Sequence, residues 1–130
     1  MTGVFKSYDI RGVYPTEINE TLFYNIGLRV RQVGIHQLAV GRDARLSSDS
    51  LFHAFVQGLV DAGVHVINIG KVTSPILSFY CATKKSKGAM ITASHNPSQY
   101  NGIRFVDEKG IQLGYDALLK KIEARLQILH

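Results

Sequence analysis

A hydroxyl, an imidazole and an amide follow one another directly after an apolar run, in the stretch Thr92-Ala93-Ser94-His95-Asn96-Pro97. Pro97 has no N–H and biases Asn96 away from helical geometry, so no helix begins directly behind Ser94. A hydrolase nucleophile elbow needs a Gly-x-Ser-x-Gly turn leading into a helix, and both glycines are absent. In an extended segment Ser94 and His95 point to opposite sides, which disfavours a Ser-His-Asp triad.

Two interpretations of Ser94 remain open from the residues alone. A serine can carry a phosphoryl group, which brings about −1.5 to −2 charges at neutral pH and requires cations nearby. The chain has 15 Lys and Arg against 10 Asp and Glu, a formal charge of +5, which suits such a group and an anionic substrate. Ser94 can equally be a hydrogen-bonding turn residue, because serine, asparagine and proline are ordinary turn formers.

Three arginines lie where they could meet an anion. Arg11 precedes Gly12, which permits close backbone approach, so Arg11 either binds a phosphate or forms a salt bridge with Asp9. Arg45 lies between a predicted strand and a predicted helix, where it could reach a ligand. Arg104 follows Asn101-Gly102-Ile103 and is either an exposed strand charge or a phosphate contact.

Helical and strand-like periodicities alternate along the chain, which predicts an α/β fold with a sheet and crossover helices. Helices are predicted over 19–34, 47–63, 74–83 and 118–126, and strands over 38–40, 64–69, 88–92, 103–106 and 111–113. In such sheets ligands bind beyond the carboxyl ends of the strands. That rule selects three loops, at 41–47, 70–74 and 93–101.

Length and composition exclude several classes of protein. The 130 residues suffice for one domain, and no apolar run approaches the ~18 residues of a membrane-spanning helix. The single cysteine, Cys81, excludes an internal disulfide and a Cys-rich zinc site. The charges are scattered, which disfavours nucleic-acid binding, and the absence of a Gly-x-Gly-x-x-Gly turn disfavours a nucleotide-binding domain. No signal-peptide pattern is visible at the start, so we expect a cytoplasmic protein.

Four motifs, taken in order, resemble the α-D-phosphohexomutase superfamily, and specifically the first domain of bacterial phosphomannomutase/phosphoglucomutase. They are Phe5-Lys6-Ser7-Tyr8-Asp9-Ile10-Arg11-Gly12, Val40-Gly41-Arg42-Asp43-Ala44-Arg45-Leu46-Ser47, Gln57-Gly58-Leu59, and Thr92 to Pro97 with Tyr100-Asn101-Gly102. The resemblance spans nearly the whole chain and implies a three-layer α/β/α sandwich with a mixed, mostly parallel sheet and crossover helices.

The resemblance also implies a reaction. Ser94 would carry the transferable phosphoryl group and pass it to a hexose 1-phosphate or 6-phosphate through a hexose 1,6-bisphosphate, which also serves as activator. A Mg²⁺ ion would bind the phosphate on Ser94. Arg11 and Arg104 would stabilise charge, and His95 would position the serine. The resemblance further implies that Tyr8, Asn96 and Asn101 contact the substrate.

Two departures from the family pattern qualify these expectations. Many members have lysine where this chain has Arg104, and arginine is a poor general base because it keeps its proton. The chain also corresponds to domain I alone, over residues 1–130, whereas the family enzymes continue into domains II–IV, which would complete the site as partners. We therefore expect a parent mutase and an inactive isolated domain. The alternative is a non-catalytic phosphosugar-binding or interaction module of the same fold.

Overall fold

The computed structural model describes residues 3–127, which form six strands and four α-helices. The strands are β1 (Ile10–Val13), β2 (Gln37–Arg42), β3 (His65–Lys71), β4 (Gly88–Ile91), β5 (Tyr100–Val106) and β6 (Gln112–Leu113). The helices are α1 (Glu20–Val30), α2 (Ser48–Asp61), α3 (Ser74–Lys84) and α4 (Lys120–Gln127). A 3-10 turn, Arg31–Val33, extends α1, and a π-helical turn, Tyr115–Leu119, precedes α4.

All six strands belong to one sheet, in the order β1-β5-β4-β2-β3, with β6 also pairing with β5. β2 pairs in parallel with both β3 and β4, whereas β5 is antiparallel to β4, β1 and β6. Five of these six strands therefore run in one direction and β5 runs against them. The expected mixed sheet is confirmed. Most of its strands run in one direction, although only two of the five strand pairs are parallel, because β5 takes part in the other three.

The helices cover both faces of the sheet, as a three-layer sandwich requires. A large apolar core joins α1, α2 and the turn before α4 to one face, and its fully buried members include Phe23, Phe55 and Phe105. A smaller core holds α3 against the other face through Leu77, Cys81 and neighbouring strand residues. Burial raises the pKa of the Cys81 thiol to about 11, which fits a packing role for this side chain.

Local chemistry explains where the predicted elements begin and end. The Asn19 side chain accepts the Leu22 N–H at 2.9 Å and caps α1, and Gly34 takes the left-handed conformation (φ 92°) after the 3-10 turn. The four-residue strand β1 was not predicted, because it mixes Arg11 and Gly12 with its apolar residues and its partner strand, β5, lies far along the chain. Among residues 3–127, no helix is long and apolar enough to span a membrane.

Candidate active site

The three loops selected from the sequence meet at one pocket of about 850 Å³ on the α3 face of the sheet. The loop after β2 contributes Asp43 and Ala44, and the loop after β4 contributes Ser94 and His95. The end of β3, the segment that follows it and the start of α3 contribute four further residues: Lys71, Val72, Thr73 and Ser74. Arg104 on β5 and Met90, the residue opposite it on β4, also line the pocket.

Ser94 is exposed on the wall of this pocket and has an unusual backbone conformation. Its φ of +57° lies in the left-handed region, which is unfavourable for a residue with a Cβ. Its N–H donates to Thr92 Oγ1 at 2.9 Å. The stretch is therefore not extended at Ser94. Ser94 and His95 line the same pocket, so the expectation that they point to opposite sides, which assumed an extended strand, does not hold.

Arg45 lies beneath the loop that carries Ser94 (residues 93–101), which we call the serine loop. Only 13% of the Arg45 side chain is exposed. Its Nη2 donates to the carbonyls of Ser94 (2.9 Å) and Asn96 (2.7 Å). Its Nη1 donates to the carbonyls of Pro97 (2.7 Å) and Tyr100 (3.0 Å). The sequence suggested that Arg45 could reach a ligand, whereas the structure turns the guanidinium toward the protein backbone.

Asn101 is fully buried and lies on the opposite face of the sheet from the pocket. Its Nδ2 donates to the hydroxyls of Ser47 and Ser48, both at 2.9 Å, and its Oδ1 accepts the Gly102 N–H. The structure therefore does not bring Asn101 to the pocket, because its Nδ2 is bound to hydroxyls at the start of α2 and its Oδ1 is bound to the N–H of the next residue on β5. Its position favours a role in holding the loop framework.

Asp43 connects this buried amide to the arginine. One carboxylate oxygen accepts the Ser48 hydroxyl at 2.5 Å and the Arg45 N–H at 3.1 Å, and the other accepts Arg45 Nε at 3.2 Å. Asn101, Ser48, Asp43 and Arg45 thus form a continuous hydrogen-bonded path from β5 through α2 to the serine loop. A connected polar network of this kind fixes one arrangement of the segments that it joins.

Arg11 and Arg104 share the α3 face of the sheet, because each alternates along its strand with a core residue of the other face. Asp9 lies close to both arginines, at 3.9 Å from Arg11 Nε. Burial raises the pKa of the Asp9 carboxyl, and the positive charges of Arg11, Arg104 and Lys6 only partly oppose that rise. Arg11 forms the salt bridge with Asp9 that was one of the two alternatives for it, at a long N–O distance of 3.9 Å, and its side chain stays partly exposed (35%).

Comparisons with known proteins agree with this geometry. The family model of the phosphoglucomutase/phosphomannomutase alpha/beta/alpha domain I matches residues 2–128. The chain belongs to this family.

Individual relatives support the same assignment. The chain is 40% identical to a phosphoglucomutase of Neisseria gonorrhoeae, over 79% of this chain and 24% of that protein. It is 37% identical to a phosphoglucosamine mutase of Clostridium perfringens, over 89% of this chain and 27% of that protein. A crystal structure of a phosphoglucomutase/phosphomannomutase family protein from Burkholderia thailandensis superimposes with a TM-score of 0.81 at 30% identity, over 98% of this chain and 30% of that one. The chain therefore spans about a quarter of the length of these curated relatives.

The other residues that the family resemblance selected occupy different places in this domain I. Tyr8 is 69% exposed, and its carbonyl accepts Gln112 Nε2 at 2.7 Å. The same Gln112 accepts Arg104 Nη2 at 3.1 Å and so links Tyr8 to the pocket wall. Asn96 donates its side-chain N–H to the Ala93 carbonyl at 2.9 Å, which closes the serine loop on itself.

Several pocket residues of the domain carried no individual signal in the sequence. Lys71, Thr73, Ser74 and Ser78 line the pocket, and only the position of the 70–74 loop after a predicted strand pointed to the first three. Ser78 lies one turn into α3, where the sequence predicts only a helix face. Lys71 also pairs with Asp49 at 3.5 Å, so its cationic head lies between α2 and the pocket.

The oxygen ligands available in residues 3–127 do not fit a Mg²⁺ site on their own. No group of three or more His, Cys, Asp or Glu side chains within this range could hold a metal ion. The carboxylate that lines the pocket, Asp43, already accepts hydrogen bonds on both oxygens. Hard cations of this kind prefer carboxylate and phosphate oxygens, so a family Mg²⁺ would need further ligands besides a phosphate on Ser94.

Proposed function

We propose that this chain is the phosphoserine-bearing domain of a hexose-phosphate mutase, with Ser94 as the residue that donates and regains the phosphoryl group. The observation that supports this proposal is the exposed Ser94 on the wall of a large pocket that also holds His95, Lys71 and Arg104. Three groups that carry or can take positive charge thus line the same pocket as the hydroxyl. On its buried side, the loop is held by the hydrogen bonds from Arg45 to the carbonyls of Ser94 and Asn96.

The proposed reaction consists of two phosphoryl transfers. In the first, the bond between phosphorus and Ser94 Oγ breaks as a hydroxyl oxygen of the hexose monophosphate bonds to the same phosphorus, which gives a hexose 1,6-bisphosphate. The hydroxyl proton must leave the attacking oxygen. In the second transfer, Ser94 Oγ attacks the other phosphate of the intermediate and the isomeric monophosphate is released. Mg²⁺, when bound, supplies Lewis-acid charge stabilisation.

Two further roles, charge stabilisation and proton acceptance, are assigned to individual pocket residues. Arg104 is a permanent cation that can stabilise developing charge on the phosphoryl oxygens, and it cannot take the proton. His95 has a ring nitrogen that can, so we assign proton acceptance to His95 and charge stabilisation to Arg104. Arg11 lies on the same face and adds positive charge beside Asp9. With this division, the proposed mechanism does not require a lysine at position 104.

Labelling of the chain tests the proposal. Incubation with glucose 1,6-bisphosphate and Mg²⁺ should add ~80 Da, the mass of one phosphoryl group, at Ser94. Ser94→Ala should remove the label, whereas Ser98→Ala, at an exposed serine of the same loop, should retain it. Peptide mass spectrometry locates the group. A label that survives Ser94→Ala would overturn the assignment. If phosphate protects the loop from amide hydrogen exchange but no phosphoryl group is transferred to Ser94, the alternative is favoured, a phosphosugar-binding module.

Isomerisation by this domain alone is expected to be absent. The pocket is open to solvent, and the ligands for Mg²⁺ are incomplete in the described residues. Phosphoryl transfer depends almost entirely on positioning and electrostatic stabilisation, which this one-sided site supplies only in part. A single slow transfer can therefore label Ser94 during a long incubation, whereas repeated turnover cannot be sustained. A coupled assay of the purified 130 residues with glucose 1-phosphate should show no turnover above the blank. Measurable glucose 6-phosphate, lost in Ser94→Ala, would show that the domain is sufficient.

A further inference from the structure

We propose that Arg45 is a positioning residue, which holds Ser94 in the left-handed conformation that presents its hydroxyl to the pocket. The catalytic meaning of this role rests on the proposed function, whereas the structural role stands independently of it. Arg45 and Ser94 are separated by 49 residues in the sequence and are joined by the hydrogen bond from Nη2 to the Ser94 carbonyl.

The hydrogen bonds of Arg45 use its full donor capacity. An arginine has five N–H donors in a planar fork. Four are directed at backbone carbonyls of the serine loop, and the fifth, on Nε, is directed at Asp43. The side chain is largely buried, so no donor remains for a phosphate in the pocket. Arg45 therefore differs in role from Arg104, although both lie next to the same loop.

The carbonyl arrangement depends on this cation. Four backbone carbonyl oxygens within one loop are directed at a single guanidinium, and like partial charges so close together repel one another unless a donor lies between them. The Ser94 peptide units are fixed on both sides, by Thr92 Oγ1 at the N–H and by Arg45 at the carbonyl. These two bonds offset the unfavourable φ of +57°.

Lysine at position 45 would keep the positive charge but would lose the planar arrangement of five N–H donors. Its ammonium has three donors in tetrahedral geometry and cannot reach four carbonyls and a carboxylate together. Arg45→Lys should therefore release the Ser94 carbonyl while the core remains folded. Arg42→Lys is the matched control, because Arg42 is also partly buried in this region but contacts Asp49 and the ring of Phe52 on α2 instead of the loop.

Backbone NMR of the 130-residue chain provides the decisive measurement. In the wild type and in Arg42→Lys, the Cα and Cβ shifts of Ser94 should report left-handed geometry. In Arg45→Lys this signature should disappear, and amide exchange at Ser94 to Asn96 should accelerate by roughly tenfold or more because the loop opens locally. Unchanged Ser94 shifts in a folded Arg45→Lys variant would overturn the proposal.

A second measurement needs no variant and covers the case in which Arg45→Lys does not fold. In the wild type the guanidinium should rotate slowly and show distinct, exchange-protected Nη protons, since each is bound to a different carbonyl. A single averaged Nη signal would contradict the proposed hydrogen bonds from Arg45 to the loop carbonyls.

Both measurements are independent of phosphoryl transfer. If Ser94 is not labelled although these hydrogen bonds are intact, the proposed function fails and the positioning role of Arg45 stands. Where the wild type is labelled, Arg45→Lys should slow labelling without changing the half-saturating donor concentration.

Discussion

Replacing Asn101 by aspartate should lower the free energy of unfolding by about 3–5 kcal/mol at neutral pH, the range for a buried charge that has no opposite charge to pair with. The amide donates to two serine hydroxyls and is fully buried, whereas a carboxylate has no proton to donate. The new charge would also lie near the Asp43 carboxylate, since Ser48 contacts both residues. Urea denaturation at pH 7 measures the change.

The loss should depend on pH in a defined direction. Burial raises the pKa of the new carboxyl in the folded state above its unfolded value of about 3.9, so the folded variant binds the proton more tightly. The stability difference from the wild type should therefore be smallest near pH 4 and grow as the pH rises. Asn68→Asp is the control, because Asn68 is exposed and uses only its acceptor oxygen, toward the Gly70 N–H. Equal losses in the two variants would show that Asn101 has no special buried role.

Replacing Gly58 by alanine should destabilise the chain by about 3 kcal/mol or more, at or above the upper end of ordinary overpacking. A Cβ at Gly58 would lie 2.2 Å from the Tyr24 carbonyl oxygen and 3.1 Å from the Cα of Gly27. Gly27 faces the reciprocal restriction, since its Cβ would lie 2.4 Å from the Phe55 carbonyl oxygen. The obstructing atoms are backbone, so α1 and α2 would have to separate.

The sign of this effect is diagnostic. On an exposed helix surface, glycine to alanine stabilises by about 1 kcal/mol through helix propensity. The structure predicts the opposite sign at Gly58, because close helix contact outweighs propensity. Val60→Ala, at a half-exposed position of the same helix, should change stability only slightly. Thermal unfolding followed by circular dichroism compares them, and a Gly58→Ala variant more stable than wild type would contradict the close α1–α2 packing.

The sequence pattern could predict the alternation of helices and strands and the three pocket loops, because burial imposes periods of 3.6 and 2 that are visible locally. It could not predict β1, whose pairing partner lies far along the chain. Nor could it separate the roles of Arg45 and Arg104. The two side chains are chemically identical, and only the fold determines that Arg45 binds backbone carbonyls and that Arg104 lines the pocket.

Asn101 illustrates the same limit from the other side. A polar residue next to a reactive loop resembles a ligand-binding residue in sequence, but the strand phase directs it into the interior, with Ile103 and Phe105 on the same face. The same motif contains both kinds of residue, those that line the pocket and those that hold the loop. Residue type and spacing alone do not distinguish them.

The pairing of β1 with β5 has a consequence for biosynthesis. Ile10 lies opposite Ile103, so two segments about ninety residues apart must meet before the sheet is closed at this edge. The ribosome releases the N-terminal strand early and its partner late, and such non-local pairing is slow to form. The serine loop lies between β4 and β5. A nascent chain therefore acquires the left-handed Ser94 geometry only after β5 has been synthesised, when α1 and α2 of the larger core are already available to fold.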